Sequence, residues 1–429
     1  MNAASNPSWR VCLVTDVYPP DCGGSGWSTH ALARVLVGRG HQVSIVAVDP
    51  TRMDVATRVY DGIEITDIGV RAARRSVRRR LGARDYTYGT LATFLDQFLR
   101  TNPSVDVVHA QHLHSGPPSV AVGNALGRAT IVTVRDYWPV CLHGTSWWGE
   151  RVCDGCTTQN LAGCMAEYWR WPRPVSRVMG GWARRRLDAR AGGLAAADKV
   201  LSVSHAVENR IRDQLPGADL TVVPNIVDPG HVERMAIAHQ DASRQEPYVL
   251  AAGKLQPTKG FDLLLSSLAE VGTSRPVSVL VAGDGPSRAA LETQARASKL
   301  PVTFLGWVDH DRLLGLQRGA DAVLLPSSWN EPLARVALET MALGTPVVAW
   351  NRGGNPEIID SGINGWLVSD SGDLEVALTS LASPECRQRV GKAARTRVEE
   401  RFSPDAVYSQ VEAVYSDALE KSGRVCVTP

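Results

Sequence analysis

Short runs of aliphatic and β-branched residues recur along the chain, each followed by a longer stretch with helical spacing. In the first half these runs are Val11–Thr15, Val43–Val48, Val105–His109, Ile131–Val134, Val200–Val203 and Thr221–Val223. A polar stretch, Ala236 to Pro247, interrupts the pattern. It resumes at Tyr248–Ala252, Ser278–Ala282, Val302–Leu305, Ala322–Pro326, Pro346–Trp350 and Trp366–Val368. Strand-helix alternation of this kind predicts parallel sheets covered by helices on both faces. The expected fold is therefore α/β, with two Rossmann-like doubly wound domains whose strand C-termini face a central cleft. The boundaries read as 1–235 for the first domain, 236–247 for a linker, 248–402 for the second domain and 403–429 for a final helix and tail. Ser403-Pro404-Asp405 supplies an N-cap with proline at the first helical position. Val407, Val411, Val414 and Ala418 then recur at three- and four-residue steps, so that helix must bury one face.

Composition narrows the class. With 429 residues, 44% hydrophobic and 21% charged, the chain is an ordinary globular one, too long for a single core. A net charge of +2 implies no general attraction to nucleic acid. No apolar run approaches the roughly 18–20 residues that span a bilayer, and no signal-peptide pattern precedes Val11, so a cytoplasmic location is expected. Charge is unevenly placed. Residues 71–80 hold six arginines, and 167–190 interleaves Arg170, Arg173, Arg177, Arg184, Arg185 and Arg186 with Trp169, Trp171 and Trp182. Such segments read either as a solvated basic face or as a docking surface for anionic headgroups or an acidic acceptor. The second reading would put the protein peripherally at the inner face of the membrane.

Glu331-Pro332-Leu333-Ala334-Arg335-Val336-Ala337-Leu338-Glu339 carries the strongest chemical signal. Proline at the first helical position would make Glu331 the N-cap and place Glu339 roughly 12 Å further along the axis, so that the two carboxylates could hold separate hydroxyls of one extended ligand. Gly23-Gly24-Ser25-Gly26, between the first strand and a helix, offers backbone amides to an anion. Asp309-His310-Asp311 looks like a metal-binding aspartate pair, but it leads a helical pattern through Leu313, Leu314 and Leu316, which makes Asp309 an N-cap. Cys141, Cys153, Cys156 and Cys164 have a spacing that suits a four-thiolate site, structural zinc before an iron-sulfur cluster. The remaining cysteines, Cys12, Cys22, Cys386 and Cys426, read as thiols of a reducing compartment.

Several segments together, in order and spacing, resemble the family 4 glycosyltransferases, retaining enzymes of GT-B fold. They are Pro224-Asn225-Ile226-Val227-Asp228, Gly253-Lys254-Leu255 with Lys259-Gly260, Gly283-Asp284-Gly285-Pro286, Glu331 to Glu339, Gly353-Gly354 to Glu357, and Asp360 to Leu367. The resemblance implies a nucleotide-sugar donor, a hydroxyl acceptor and no cofactor for catalysis. By it, Lys254 and Lys259 hold the donor diphosphate, Glu331 contacts the transferred sugar, Glu339 accepts from the ribose, and Gly353 and Gly354 let the backbone approach the sugar. Gly24 and Ser25 lie near the donor phosphate, and a histidine after the strand at 105–109 lies near the reacting sugar, His112 before His114. The family has arginine more often than lysine at 254 and glycine more often than alanine at 334. Its His-Asp pair appears here as Arg135-Asp136, which removes a proton-transfer role from position 135. Two other readings use the same architecture: a nucleotide-sugar epimerase and a non-catalytic scaffold.

Overall fold

A computed structural model describes residues 8–49, 51–70, 83–148, 151–240, 246–271 and 277–423. The arginine run at 71–80 and Cys426 lie outside these residues. The chain forms two units: Met1–Gly144 with Asp154–Pro224 and Tyr408–Pro429, and Thr145–Cys153 with Asn225–Val407.

Unit 1 is built on β1 (Arg10–Thr15), β2 (Gln42–Asp49), β3 (Val55–Tyr60), β4 (Ile63–Gly69), β5 (Val107–Ala110) and β6 (Ala129–Val134). A short hairpin of β7 (Trp147–Trp148) and β8 (Arg151–Val152) belongs to unit 2, and β9 (Lys199–Ser202) and β10 (Leu220–Val222) complete unit 1. The unit 1 sheet runs β10-β9-β6-β5-β1-β2-β4-β3. All pairs are parallel except β3 against β4. β1 has β2 on one side and β5 on the other, so the crossovers change direction there, at the position where doubly wound sheets take ligands. The hairpin of β3 and β4 was not evident in the sequence: its alternating exposed positions, Val55 and Val59 among them, lack the continuous apolar run of a central strand.

Unit 2 contains β11 (Tyr248–Ala252), β12 (Ser278–Ala282), β13 (Val302–Gly306), β14 (Ala322–Leu325), β15 (Val347–Trp350) and β16 (Trp366–Val368), ordered β13-β12-β11-β14-β15-β16 and parallel throughout. Its switch point lies between β11 and β14. The core includes Leu264, Leu265, Val281, Leu324, Val348 and Leu374. The expected linker at 236–247 falls inside this unit, because the helix Pro229–Ala238 packs on the helices His310–Gly319 and Arg335–Ala342. The chain passes between units at Pro224 and Asn225 instead.

The last helix, Pro404–Lys421, begins where expected, with Ser403 Oγ accepting from Ala406 N at 3.3 Å. Its apolar stripe is buried at Val407, Val411, Val414 and Ala418. From Tyr408 onward it belongs to unit 1. Tyr415 Oη meets His109 Nδ1 at 2.8 Å, while His109 Nε2 meets Thr133 Oγ1 at 2.7 Å. Tyr408 Oη meets His41 Nε2 at 2.7 Å, and Trp9 stacks on His41 with ring centroids 4.7 Å apart. Burial first, then the Arg135 charge, pulls His109 down to about 3, so the ring is neutral and structural. Tyr415→Phe would strand a ring nitrogen in a site 1% exposed. The expected cost is about 1–3 kcal/mol of unfolding free energy in a urea titration, and a change below about 0.5 kcal/mol would show that the bond contributes little.

Candidate active site

In unit 2 the loop after β11 carries Lys254, exposed, and then a 3-10 turn, Pro257–Lys259, closed by Gly260 at φ 65°. A Cβ on Gly260 would lie 2.0 Å from the Pro326 carbonyl oxygen. This close approach brings Lys259 to the loop that follows β14. There Lys259 Nζ donates to Glu331 Oε1 at 3.0 Å and to Oε2 at 2.7 Å. Ser327 Oγ at 2.7 Å and Trp329 Nε1 at 2.9 Å donate to the same Oε2. The ammonium also stands 5.1 Å from the Trp329 ring centroid, within cation-π range. Burial alone would raise the Glu331 carboxyl. The Lys259 charge and the hydrogen bonds from Lys259, Ser327 and Trp329 outweigh it, so the group is held below its ordinary value and stays ionised.

Glu331 is not a helix cap. The helix begins at Arg335 and runs to Ala342, and residues 331–334 are irregular. The cause is backbone packing: Gly354 N donates to Glu331 O at 2.7 Å, and a Cβ on Gly353 or Gly354 would come within 2.2 Å of a carbonyl oxygen of Glu331 or Pro332. The 12 Å helical spacing expected for the two carboxylates therefore does not apply. Ala334 has φ −67° and ψ 107°, a region open to any residue, so the alanine at this position is unstrained.

Glu339 is 1% exposed. Its Oε1 accepts from Arg335 Nε at 2.7 Å and meets His310 Nε2 at 2.9 Å. Burial would raise this carboxyl, but the charges and hydrogen bonds of His310 and Arg335 pull it from 4.5 down to about 2. Asp309 caps the helix His310–Gly319 as expected, accepting from Arg312 N at 2.9 Å, and so fixes the start from which His310 reaches Glu339. Ser327, Trp329, His310 and Arg335 are the supporting residues that the motif reading missed. The four-residue step from Arg335 to Glu339 was a usable signal; Ser327 and Trp329 lie on the same loop as Glu331, and only His310 crosses from a separate segment.

Unit 1 gathers a second set of groups at the ends of β1, β5 and β6. Asp16 Oδ1 accepts from Ser115 N at 2.9 Å, and Oδ2 accepts from His114 N at 2.9 Å and meets His114 Nδ1 at 2.8 Å. His112 Nδ1 lies 2.9 Å from Thr15 Oγ1, whose one hydrogen goes to the Val17 carbonyl at 2.8 Å. The His112 proton is thereby assigned to Nδ1, leaving Nε2 as an acceptor; the rival contact from Asp16 N, at 3.4 Å, is weaker. Burial is the main cause that lowers His112 to about 4, so the ring is neutral at physiological pH. His114 is tied to Asp16, and His112 keeps a ring nitrogen with no partner among the described residues. The helix Gly24–Gly38 starts with neither a side-chain cap nor an acid in its first turn, Gly24 exposed and Ser25 half-buried.

The cysteine-bearing segment is held by apolar contacts. The helix Thr158–Trp169 packs on the helix Arg173–Ala195 around Leu142, Leu161, Met165, Ala183 and Leu187, with Cys156, Trp171 and Trp182 against this cluster. Among the described residues no group of three or more His, Cys, Asp or Glu side chains is arranged to hold a metal ion. Trp171 and Trp182 are half-buried against this cluster, and Arg186 covers Trp182 at 4.5 Å. Arg190 is buried, donating to the Trp138 carbonyl at 2.5 Å.

Two doubly wound units with cationic and carboxylate groups at their strand ends are the architecture of the GT-B glycosyltransferases. Anabaena HepE in complex with UDP superposes with a TM-score of 0.65 at 18% identity, over 95% of this chain and 99% of that one. The model described as Glycosyltransferase Family 4 matches residues 22–231, and the one described as Glycosyl transferases group 1 matches 232–397. The chain belongs to the family 4 glycosyltransferases. It is 27% identical over 432 residues to the glycogen synthase of Mycobacterium tuberculosis, covering 95% of this chain and 94% of that one. It is 28% identical over 446 residues to the D-inositol 3-phosphate glycosyltransferase of Jonesia denitrificans, covering 96% of each.

Because Glu339 is held below its unfolded-state value, its contribution to stability is complete above about pH 4.5 and is lost as pH falls toward 2. The shift corresponds to on the order of 3 kcal/mol. Between pH 5 and pH 2.5 the wild type should therefore lose stability relative to Glu339→Gln by about that amount in denaturant titrations, and parallel pH profiles would show that the His310 and Arg335 contacts do not stabilise the carboxylate.

Proposed function

We propose that this glycosyltransferase moves a sugar from a nucleoside diphosphate sugar to a hydroxyl acceptor with retention of anomeric configuration. The observation that carries the reading is the buried, ionised Glu331 held by Lys259, Ser327 and Trp329, with Lys254 on the same strand-end loop as Lys259. The two lysines stabilise the charge that develops on the diphosphate as it departs. Lys259 is bound to Glu331. When its ammonium turns to the diphosphate, Glu331 gains free acceptor sites for sugar hydroxyls while Ser327 and Trp329 keep the carboxylate in place. Glu339 accepts from the ribose, Gly353 and Gly354 bring backbone close to the sugar, and in unit 1 Gly24 and Ser25 offer amides to the donor phosphate. His112 Nε2, an acceptor, orients a hydroxyl near the reacting carbon.

The acceptor oxygen attacks the anomeric carbon from the face that the diphosphate leaves. The bond to the phosphate oxygen breaks with its electron pair on that oxygen, which takes the proton of the acceptor hydroxyl. UDP bound to HepE makes UDP-sugars the first donors to test. The names glycogen synthase and D-inositol 3-phosphate glycosyltransferase span different acceptors, a polysaccharide and a small cyclitol phosphate.

A panel of UDP-, GDP-, ADP- and TDP-sugars, scored by thermal shift and slow hydrolysis, identifies the donor, since a bound donor stabilises the native state. Lys259→Ala should reduce turnover on the order of a hundredfold or more. It also leaves a buried carboxylate without its ammonium, which should lower stability by about 1–3 kcal/mol; near wild-type turnover would remove Lys259 from the site. An inverted product anomer by NMR would contradict retention. Release of a new sugar without any acceptor would favour the epimerase reading, and a calorimetric titration with no donor binding would favour the scaffold.

A specific surface favours peripheral membrane association as well. The start of the helix Arg173–Ala195 exposes Arg173, Pro174, Val175, Arg177 and Val178, the last at 78% exposure, and no acid occurs from Arg170 to Leu187. Cations beside exposed aliphatic groups suit an anionic lipid surface. Co-sedimentation with anionic but not neutral vesicles, weakened by salt over a screening length of about 8 Å, is the expected result. Equal partition onto both vesicle types would argue for a solvated face.

A further inference from the structure

Unit 2 contains a short stretch, Thr145–Cys153, that the donor-handling residues leave unexplained: Gly144 before it and Asp154 after it are assigned to unit 1. It carries the hairpin of β7 and β8, with Trp147 opposite Val152 and Trp148 opposite Arg151. A two-stranded hairpin is marginal by itself, so this one needs an anchor. Ser146 leads the chain into it at φ 49° while only 4% exposed, a left-handed backbone that few residues other than glycine adopt. Cys153 N closes the base of the hairpin on Ser146 O at 2.8 Å. Such strained positions persist where the surroundings over-determine them, and they gather at functional sites. The next residue, Trp147, is buried.

The anchor is Arg352. It follows β15, half-buried, and its guanidinium carbon lies 6.0 Å from the Trp147 ring centroid, at the edge of cation-π range. Its Nη1 donates to the Ser328 carbonyl at 2.6 Å, a charge-assisted bond. No carboxylate pairs with Arg352 among the described residues, so the carbonyl and the ring are the groups that fix it. A planar guanidinium can stack and donate at once, which an ammonium does less well. The Ser328 backbone is thereby held at both ends, its carbonyl by Arg352 and its N–H by the Thr258 carbonyl at 3.1 Å. The residues on either side of it, Ser327 and Trp329, donate to Glu331 Oε2. Gly354, two residues after Arg352, donates through its N to Glu331 O. Side chain and main chain of Glu331 therefore both depend on segments that Arg352 joins.

We propose that the β7-β8 hairpin is a clamp on the donor site: Trp147, through Arg352, fixes the loop 327–331 so that the Glu331 carboxylate is in place for the sugar. Trp147 and Arg352 are positioning residues, and neither needs to touch the substrate. The clamp stands on contacts within unit 2, while its consequence for sugar transfer rests on the glycosyltransferase reading. A misplacement of about 1 Å can cost on the order of a hundredfold in rate. In that reading the diphosphate is met by Lys254 and Lys259, which Arg352 does not touch, so loosening the clamp should lower turnover more than nucleotide affinity.

The test is hydrogen exchange on the full chain, read by mass spectrometry over a peptide containing residues 326–333 and a control peptide containing 248–252 of β11, since exchange reports local opening. Trp147→Leu and Arg352→Gln should each speed exchange over 326–333 by about tenfold or more and leave 248–252 within about twofold of wild type. Because Trp147 acts through Arg352, the double variant should be no more than about twofold faster than the faster single one. Arg352→Lys, which keeps the cation, should retain part of the protection. On the same samples, kcat for UDP-glucose hydrolysis should fall about tenfold or more in both single variants, with UDP affinity by calorimetry within about threefold of wild type. Unchanged exchange over 326–333 in either single variant, or effects that multiply in the double variant, overturns the clamp. An equal rise at 248–252 also overturns it, by making the hairpin a general brace for unit 2. Wild-type turnover in variants whose loop exchanges faster removes the positioning role, as does a loss of UDP affinity as large as the loss of kcat. If the wild type neither binds UDP nor hydrolyses UDP-glucose, the reading of a UDP-sugar donor falls, and the exchange result still decides the clamp.

Discussion

A carboxylate taken out of water must be paired, and the chemistry of unit 2 is organised around that requirement. Glu331 and Glu339 are buried and ionised, and an unpaired buried charge would cost several kcal/mol. Each is satisfied by one partner from a distant segment and by others close to it in the chain. Lys259 comes from the loop after β11, Ser327 and Trp329 from the loop after β14, His310 from the start of one helix and Arg335 from the next. The tight approach of Gly260 to Pro326, and of Gly353 and Gly354 to residues 331 and 332, holds these segments where the pairs can form. Anions held in advance also suit catalysis, because their position is fixed before substrate arrives.

Unit 1 treats its ionisable groups differently. His41 and His109 are neutral scaffold members that join the last helix through Tyr408 and Tyr415. Asp16 is used to fix the loop carrying His114 and Ser115. Next to these satisfied groups, the open atoms of Gln111 and His112 stand out as the places where the polypeptide has not finished its own hydrogen bonding. Closed structural pairs and open atoms thus stand side by side at the strand ends of this unit.

The cysteine-bearing segment shows what spacing alone leaves out. The four cysteines suggested a metal site, and in the same segment Leu161, Met165, Ala183 and Leu187 lock two helices together around an apolar cluster. The leucines and methionine were visible in the sequence, but they meet only because the helix Arg173–Ala195 folds back on the one before it. Trp171 and Trp182 pack half-buried against the same cluster, and Val175 and Val178 stay exposed near them.

The order of strands and helices, the two-unit architecture and the family motifs were legible in the sequence, because each depends on local periodicity or on residues close together in the chain. Lys259, Glu331 and Glu339 could be named from those motifs. Their states could not. That Glu331 is no helix cap, that the inter-unit crossing lies at Pro224 rather than at 236–247, and that His310 completes Glu339 all depend on backbone and side-chain contacts between distant segments. Burial and pairing are set by what surrounds a group in three dimensions, and those neighbours are 29 residues away for His310 and Glu339 and 72 for Lys259 and Glu331. Only the folded chain decides which charges are desolvated, which are neutralised and which atoms are left open to a substrate.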